Sequence, residues 1–379
     1  MSVQAFNSLS DAAKFLRKEL DGKRYILMYA HNGTGKTRLS SEFKNQGKKE
    51  DDRDTLYFNA FTEDLFTWEN DLEGDAERYL ELNTDSRFFA GLKALEMDTR
   101  IKDFLDPYCD FDFRILADRV VFSRKPVAPT GKEASESFIE NIKISRGEEQ
   151  LFKWCFFLAI LRLALDGGVE LDGVEAYGWV KYVYIDDPVS SLDEHNAIAL
   201  ANRLANMLRE SGGKVKAVIS THHALFFNVL SNELGRKDKH FAQYVLSQDK
   251  KTQQYKLTPE HKDTPYFQHV SLMEDLHRAV QSGELYSYHF NILRTVMEKT
   301  ASFHGHKNFA DCIRKTDDDP DDSLHIRMLN ILSHGKYSLY DPKEMTEDNK
   351  EHFRRIFHDF RTTYKFNPEL FPEEKTRPA

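Results

Sequence analysis

The segment that most restricts the fold is AHNGTGKT, Ala30 to Thr37, set between an apolar run and a helical pattern. RYILMYA at 24–30 reads as a buried strand, and a glycine-rich turn and a helix from Lys36 follow it. A loop that cradles phosphates needs backbone N–H groups turned inward at glycines, a lysine for the terminal phosphates and a hydroxyl for Mg²⁺. Gly33, Gly35, Lys36 and Thr37 supply these, with Asn32 in the same turn. The usual pattern opens on glycine where this chain has Ala30, so the backbone there must tolerate a Cβ.

Strand–loop–helix of this kind belongs in a parallel sheet, and the rest of the chain supplies partners. TLYFNAF at 55–61, FDFRI, RVVFSRK, YVYID at 182–186 and KAVIS read as strands. ENIKI at 140–144 leads into an apolar-striped helix over 147–166, and a second helix runs from Leu192 to Glu210. Residues 65–110 are polar and helical in pattern. Alternating strands and helices predict an α/β fold with helices on both faces of the sheet. After about Pro259 the strand signals fade, and helical spacing over 270–305 and 323–335 is broken by the acidic turn DDDPDD at 317–322. Two domains are expected: an α/β domain over 1–257 with a helical insert at about 65–110, and a mainly α-helical domain over 258–379.

The 379 residues are enough for two ordinary domains. No apolar run approaches the roughly 20 residues that span a bilayer, and the N-terminus lacks a signal-peptide pattern. Three scattered cysteines without a CxxC pair suit a reducing compartment, so a cytoplasmic protein is expected. A formal charge of −9 argues against broad coating of nucleic acid but leaves room for a local basic cleft. Of the fifteen histidines, ten lie at or beyond His261, which sets the C-terminal third apart chemically.

Three further segments extend the phosphate loop into a constellation. YVYIDDP delivers Asp186 to a strand end as an Mg²⁺ partner, and Asp187 follows it. ISRGEEQ opens a helix, where Ser145, Gly147 and Glu148 can meet a γ-phosphate through helix N-terminal N–H groups. STHH ends a strand, and His222 can sense the γ-phosphate. Taken singly, an SxGEE start is a simple helix cap and a strand-end histidine is structural. In this order, with PVSSLD after the acidic pair, they resemble the ABC ATPase family over roughly residues 20–250. That resemblance implies ATP or GTP with Mg²⁺, a D-loop at Ser190, Ser191, Leu192 and Asp193, and a head-to-tail dimer. It makes Asp187 the counterpart of the glutamate that activates water in most members, one methylene shorter. A Q-loop glutamine is not evident; Asn59 and Glu63 are the candidates.

The C-terminal part carries a second constellation. Arg294 and Glu298 stand one helical turn apart, and Arg327, Asn330 and His334 share one face of a later helix. Each alone is a solvated polar face. Together they match a metal-independent RNA cut, which needs a base for the 2′-OH, an acid for the leaving 5′-oxygen and a cation for the phosphorane. Lys262, Tyr266, Phe267 and His269 mix rings and charge where the two domains join, which suits either a linker or stacking on unpaired bases.

YAHNGTGKTRLS, YFNAFTEDLFTWENDLEGDAE, YVYIDDPVSSLD, FFNVLSNEL, LRTVMEKTASFHG and NILSHG together resemble the PrrC-type bacterial anticodon nucleases nearly end to end. The resemblance implies a catalytic triad at Arg294, Glu298 and His334, and Arg327 with His334 also resembles the polar motif of HEPN nucleases. It implies cleavage of a tRNA, typically the lysine tRNA 5′ of the wobble base, to 2′,3′-cyclic phosphate and 5′-hydroxyl ends, with no metal in the nuclease site. It further implies a homo-oligomeric antiphage toxin silenced by a type I restriction–modification complex. The competing expectation is a non-nuclease ABC ATPase that senses DNA ends or serves as a scaffold. An SMC-like protein with a long coiled coil is excluded, because the hundred or so residues between Lys36 and Ser145 hold no sustained heptads.

Overall fold

The strand before the phosphate loop, β2 (Tyr25–Ala30), is buried along its whole length and sits near the middle of the main sheet. The computed structural model describes residues 3–48, 52–59, 65–70, 78–89, 95–125, 139–171, 174–189, 192–235, 238–249, 252–260, 268–313 and 344–371. Among these, the main sheet runs β1 (Gln4–Phe6), β14 (Tyr255–Pro259), β13 (Phe241–Gln248), β2, β12 (Lys216–Thr221), β11 (Tyr182–Asp186) and β3 (Thr55–Asn59). The five strands from β13 to β3 are parallel, and β14 and β1 extend the sheet in antiparallel fashion.

Period-two alternation places successive residues of β2 in different cores. Leu27 and Tyr29 join one apolar cluster, whereas Ile26, Met28 and Ala30 join the other. The second cluster is closed by α1 (Leu9–Gly22) and α2 (Lys36–Gln46). The first holds α4 (Arg146–Leu165), α5 (Glu194–Glu210) and α6 (Ala224–Leu234). The expected stripe on α4 proves to be buried on every side: Leu151 through Leu161 are all buried, Lys153 among them paired with Glu149 at 2.6 Å, because the helix lies inside the unit rather than on it.

The 65–110 insert is not the expected helical segment. It begins with two paired strands, β4 (Phe66–Asn70) and β5 (Arg78–Leu82), and only then forms a helix, α3 (Met97–Leu105). In RYLEL, Leu80 and Leu82 are buried while Glu81 is exposed, an alternation of period two that outweighs the helix-forming glutamates. These strands continue through β7 (Arg119–Arg124) to β6 (Phe111–Ile115), with the short β8 (Ile139–Glu140) also on β7. A separate hairpin joins β9 (Val169–Leu171) to β10 (Val174–Ala176).

The chain divides into two units at Tyr266 and Phe267, beyond the expected boundary at 257/258. The reason is β14, whose Thr258 and Pro259 pair with Val245 and Tyr244 and so tie the expected linker into the sheet. The described part of the second unit is helical: α7 (Gln268–Ser282), α8 (Tyr288–His304), a 3₁₀ turn at Phe309–Cys312 and α9 (Glu347–Thr363). Its core joins Leu293, Val296 and Met297 of α8 to Phe353, Ile356 and Phe360 of α9.

Candidate functional site

Parallel strands deliver their C-terminal residues to one edge of the sheet, and the register decides which residues meet there. Asp186 lies opposite Asn59 of β3 and opposite Ser220 of β12. The loop after β2 lies on the same edge. Ala30 is tolerated because it is still part of the strand, and the left-handed positions fall on Gly33 (φ 82°) and Gly35 (φ 95°). A Cβ on Gly35 would also come within 3.1 Å of the Leu9 side chain.

Asp186 is fully buried, and both its oxygens accept hydrogen bonds: one from the Thr37 hydroxyl at 2.8 Å, the other from the Ser220 hydroxyl at 2.7 Å. Burial pushes its carboxyl above the ordinary range, against those two hydrogen bonds. A hydroxyl and a carboxylate at this separation form the oxygen donor set that Mg²⁺ favours. The residues fit such a cation, which Thr37 and Asp186 would hold.

Lys36, 7% exposed, is folded back on its own loop. Its ammonium donates to the carbonyls of Ala30 (3.2 Å) and His31 (3.4 Å) and to Asn32 Oδ1 (3.2 Å), and lies 3.8 Å from Asp187 Oδ2. Asp187 has a left-handed backbone (φ 53°), a conformation that aspartate tolerates better than most residues. Its carboxylate accepts from the His222 backbone at 3.2 Å and contacts His222 Nδ1 at 2.6 Å. Burial alone would raise the Asp187 carboxyl; the hydrogen bonds and charge of His222, with Lys36, outweigh it and hold the group ionised below the ordinary value. Thus the sequence-predicted Asn32, Gly33, Gly35, Lys36, Thr37, Asp186, Asp187 and His222 come together.

A cavity of about 310 Å³ opens on this edge, lined by the loop, Asn59 and Asp187 on one side and by Gln248 and Tyr255 on another. Ser220, Gln248 and Tyr255 were not foreseen; Ser220 could have been found from the strand register, whereas the other two belong to a hairpin that the sequence pattern did not disclose. Ser145, Gly147, Glu148 and Asp193 do not line this cavity. Ser145 caps α4 in a reciprocal box: its hydroxyl accepts from Glu148 N at 3.3 Å, and the Glu148 carboxylate accepts from Ser145 N at 2.7 Å and from Arg124 at 2.6 Å. Asp193 caps α5 by accepting from Asn196 N at 2.8 Å. Within one chain these residues build two helix starts, with Ser145 and Asp193 exposed. Glu63, Ser190 and Ser191 lie outside the described residues.

In the second unit, Arg294 and Glu298 do pair. Arg294 Nε donates to Glu298 Oε1 at 2.8 Å, and the guanidinium sits 4.8 Å from the centre of the Phe309 ring. The buried face of α8 passes through Leu293, Val296 and Met297, which leaves the pair on its outer side. Arg327, Asn330, His334, Lys262, Tyr266 and Phe267 lie outside the described residues.

Residues 137–360 match a family described as an AAA domain. An anticodon nuclease from Escherichia coli is 34% identical over 386 aligned residues, covering 92% of each chain. Among solved structures, the SMC head domain from Thermotoga maritima is 12% identical and covers 62% of this chain and 90% of that one, with a TM-score of 0.29.

Proposed function

The chain belongs to the anticodon nuclease family, and from that membership we propose that it is a nucleotide-driven endoribonuclease that cuts a tRNA within its anticodon loop. The observation that carries the reading is the Arg294–Glu298 pair, held at 2.8 Å on the outer side of α8. A planar cation with a carboxylate beside it can receive a phosphodiester and hold its charge as the phosphorane forms. Arg294 is the phosphate-stabilising group, Glu298 the base or the group that orients one, and His334 the acid–base partner. Arg327 and Asn330 contact the RNA, as do Lys262, Tyr266 and Phe267. Cleavage by proton transfer leaves a 2′,3′-cyclic phosphate and a 5′-hydroxyl, without a metal ion in that site. The lysine tRNA, cut 5′ of the wobble base, is the proposed substrate, and the protein acts as an antiphage toxin held silent by a type I restriction–modification complex.

The first unit supplies the drive. ATP or GTP would lie over the N–H groups of residues 33–37, and Thr37 and Asp186 would hold Mg²⁺, whose charge would offset that of the phosphates. Lys36 then exchanges its loop carbonyls for phosphate oxygens. Asp187, kept ionised and aimed by His222, accepts a proton from the attacking water. In a homodimer, Ser145, Gly147 and Glu148 of one protomer, with Asp193, would close over nucleotide held by its partner. Their helix starts, exposed at Ser145 and Asp193, and their absence from the lining of the chain's own phosphate cavity support that arrangement.

The test is cleavage of lysine tRNA by purified full-length protein with ATP or GTP and Mg²⁺, followed by mapping of the RNA ends. Arg294→Ala and Glu298→Gln should abolish the cut while nucleotide hydrolysis continues. Cutting that persists in both variants would remove the pair from the chemistry.

A further inference from the structure

Phe303 is 88% exposed, far more than any other exposed large apolar side chain among the described residues, the next being Ile139 at 55%. A phenylalanine so presented is uncommon on a soluble surface unless something covers it. It does not stand alone. Phe303 meets the His304 ring edge-on at 5.5 Å, and the rings of His304 and His306 lie within 25° of parallel at 6.1 Å. His304 also packs on Tyr364, the residue that ends α9, at 5.0 Å.

The backbone builds this ladder deliberately. Gly305 ends α8 in the left-handed conformation (φ 75°), and His306 N donates back to Ala301 O at 2.8 Å, a helix-terminating turn that folds His306 over His304. Lys299, one helical turn before Phe303, and Lys307 add exposed positive charge. Lys299 also faces His269: burial first, and then the Lys299 charge, lower the His269 pKa. His269 is the described member of the group whose mixed rings and charges suit either a linker or stacking on unpaired bases.

We propose that Phe303, His304 and His306, flanked by Lys299 and Lys307, form a stacking platform for unpaired RNA bases; this deepens, and rests on, the anticodon-nuclease reading. Every base has a π face, so exposed rings between cations fit single-stranded RNA better than a protein partner of defined shape. Phe303 lies nine residues beyond Arg294, about 13.5 Å along the helix axis and on the other flank of the buried face. The platform therefore holds bases beside the cut rather than the scissile phosphate.

The experiment compares full-length wild type, Phe303→Ala and Phe303→Trp for binding to a synthetic anticodon stem–loop RNA and to a fully paired duplex. Phe303→Ala should weaken stem–loop binding about tenfold or more while duplex binding stays the same. Phe303→Trp should restore affinity and show fluorescence quenching on the stem–loop. Unchanged duplex binding, with the thermal melt of the full chain, reports that the variants are folded. Stem–loop affinity unchanged in Phe303→Ala overturns the platform, and so does a change of sedimentation coefficient at unaltered RNA affinity, which would make Phe303 a contact between copies. A wild type that binds the stem–loop but never cuts it defeats the nuclease reading alone, and the Phe303 comparison still decides the platform.

Discussion

Asp187→Asn separates the two tasks assigned to the acidic pair. The change keeps shape and tolerance of the left-handed backbone, so the fold should stand, but it removes the charge 3.8 Å from Lys36. Two unit charges at that distance attract by about 4 kcal/mol at an effective dielectric constant near 20. Lys36 loses part of this when it turns to a phosphate, and its three loop acceptors remain in either variant. If a third of the attraction is recovered on neutralising Asp187, nucleotide binding tightens by roughly tenfold, since about 1.4 kcal/mol corresponds to a factor of ten. Hydrolysis moves the other way: loss of a general base lowers the rate by about 10²- to 10⁴-fold. Titration with a fluorescent nucleotide and a phosphate-release assay measure both. Hydrolysis within about threefold of wild type would refute the base assignment, and weaker binding would refute the restraint on Lys36.

Other expectations follow from the same geometry. Lys36→Ala should abolish nucleotide hydrolysis and, with it, nucleotide-stimulated RNA cleavage; undiminished stimulation would uncouple the two units. Ser145→Ala should cost about 1 kcal/mol of stability by breaking the α4 cap, whereas Ser145→Asp should keep the cap and still lose hydrolysis if Ser145 meets a partner's phosphate. Thermal denaturation beside phosphate release distinguishes these. Arg294→Lys keeps the charge but loses the planar fork over Phe309, so single-turnover RNA cleavage should fall at least about tenfold. Protein already activated by nucleotide should complete a single round of cleavage after EDTA is added, and an immediate halt would argue for a metal at the cut.

Much of the first site was legible because its chemistry is written locally. The glycines of the loop, the Asp186–Asp187 pair and His222 are adjacent to recognisable strands, and the strands carry them to one edge. What the chain concealed was lateral. Ser220 reaches Asp186 only through the β11–β12 register, and Gln248 and Tyr255 only through a hairpin whose polar residues mask its period. The strands β4 and β5 were hidden by glutamates that favour helices in isolation but project outward here, as Glu81 does. Glu148 shows the limit of motif reading: the residue stands where expected, yet its carboxylate closes a capping box and pairs with Arg124. The Arg294–Glu298 pair follows directly from helical spacing.

Sequencing of small-RNA ends after brief expression of wild type and of His334→Ala decides whether the chain cuts a tRNA. A new 5′-hydroxyl end should arise at one anticodon position in the wild type and be absent in the variant. The same end in both strains, or intact tRNA with purified, nucleotide-loaded wild type, would contradict that expectation.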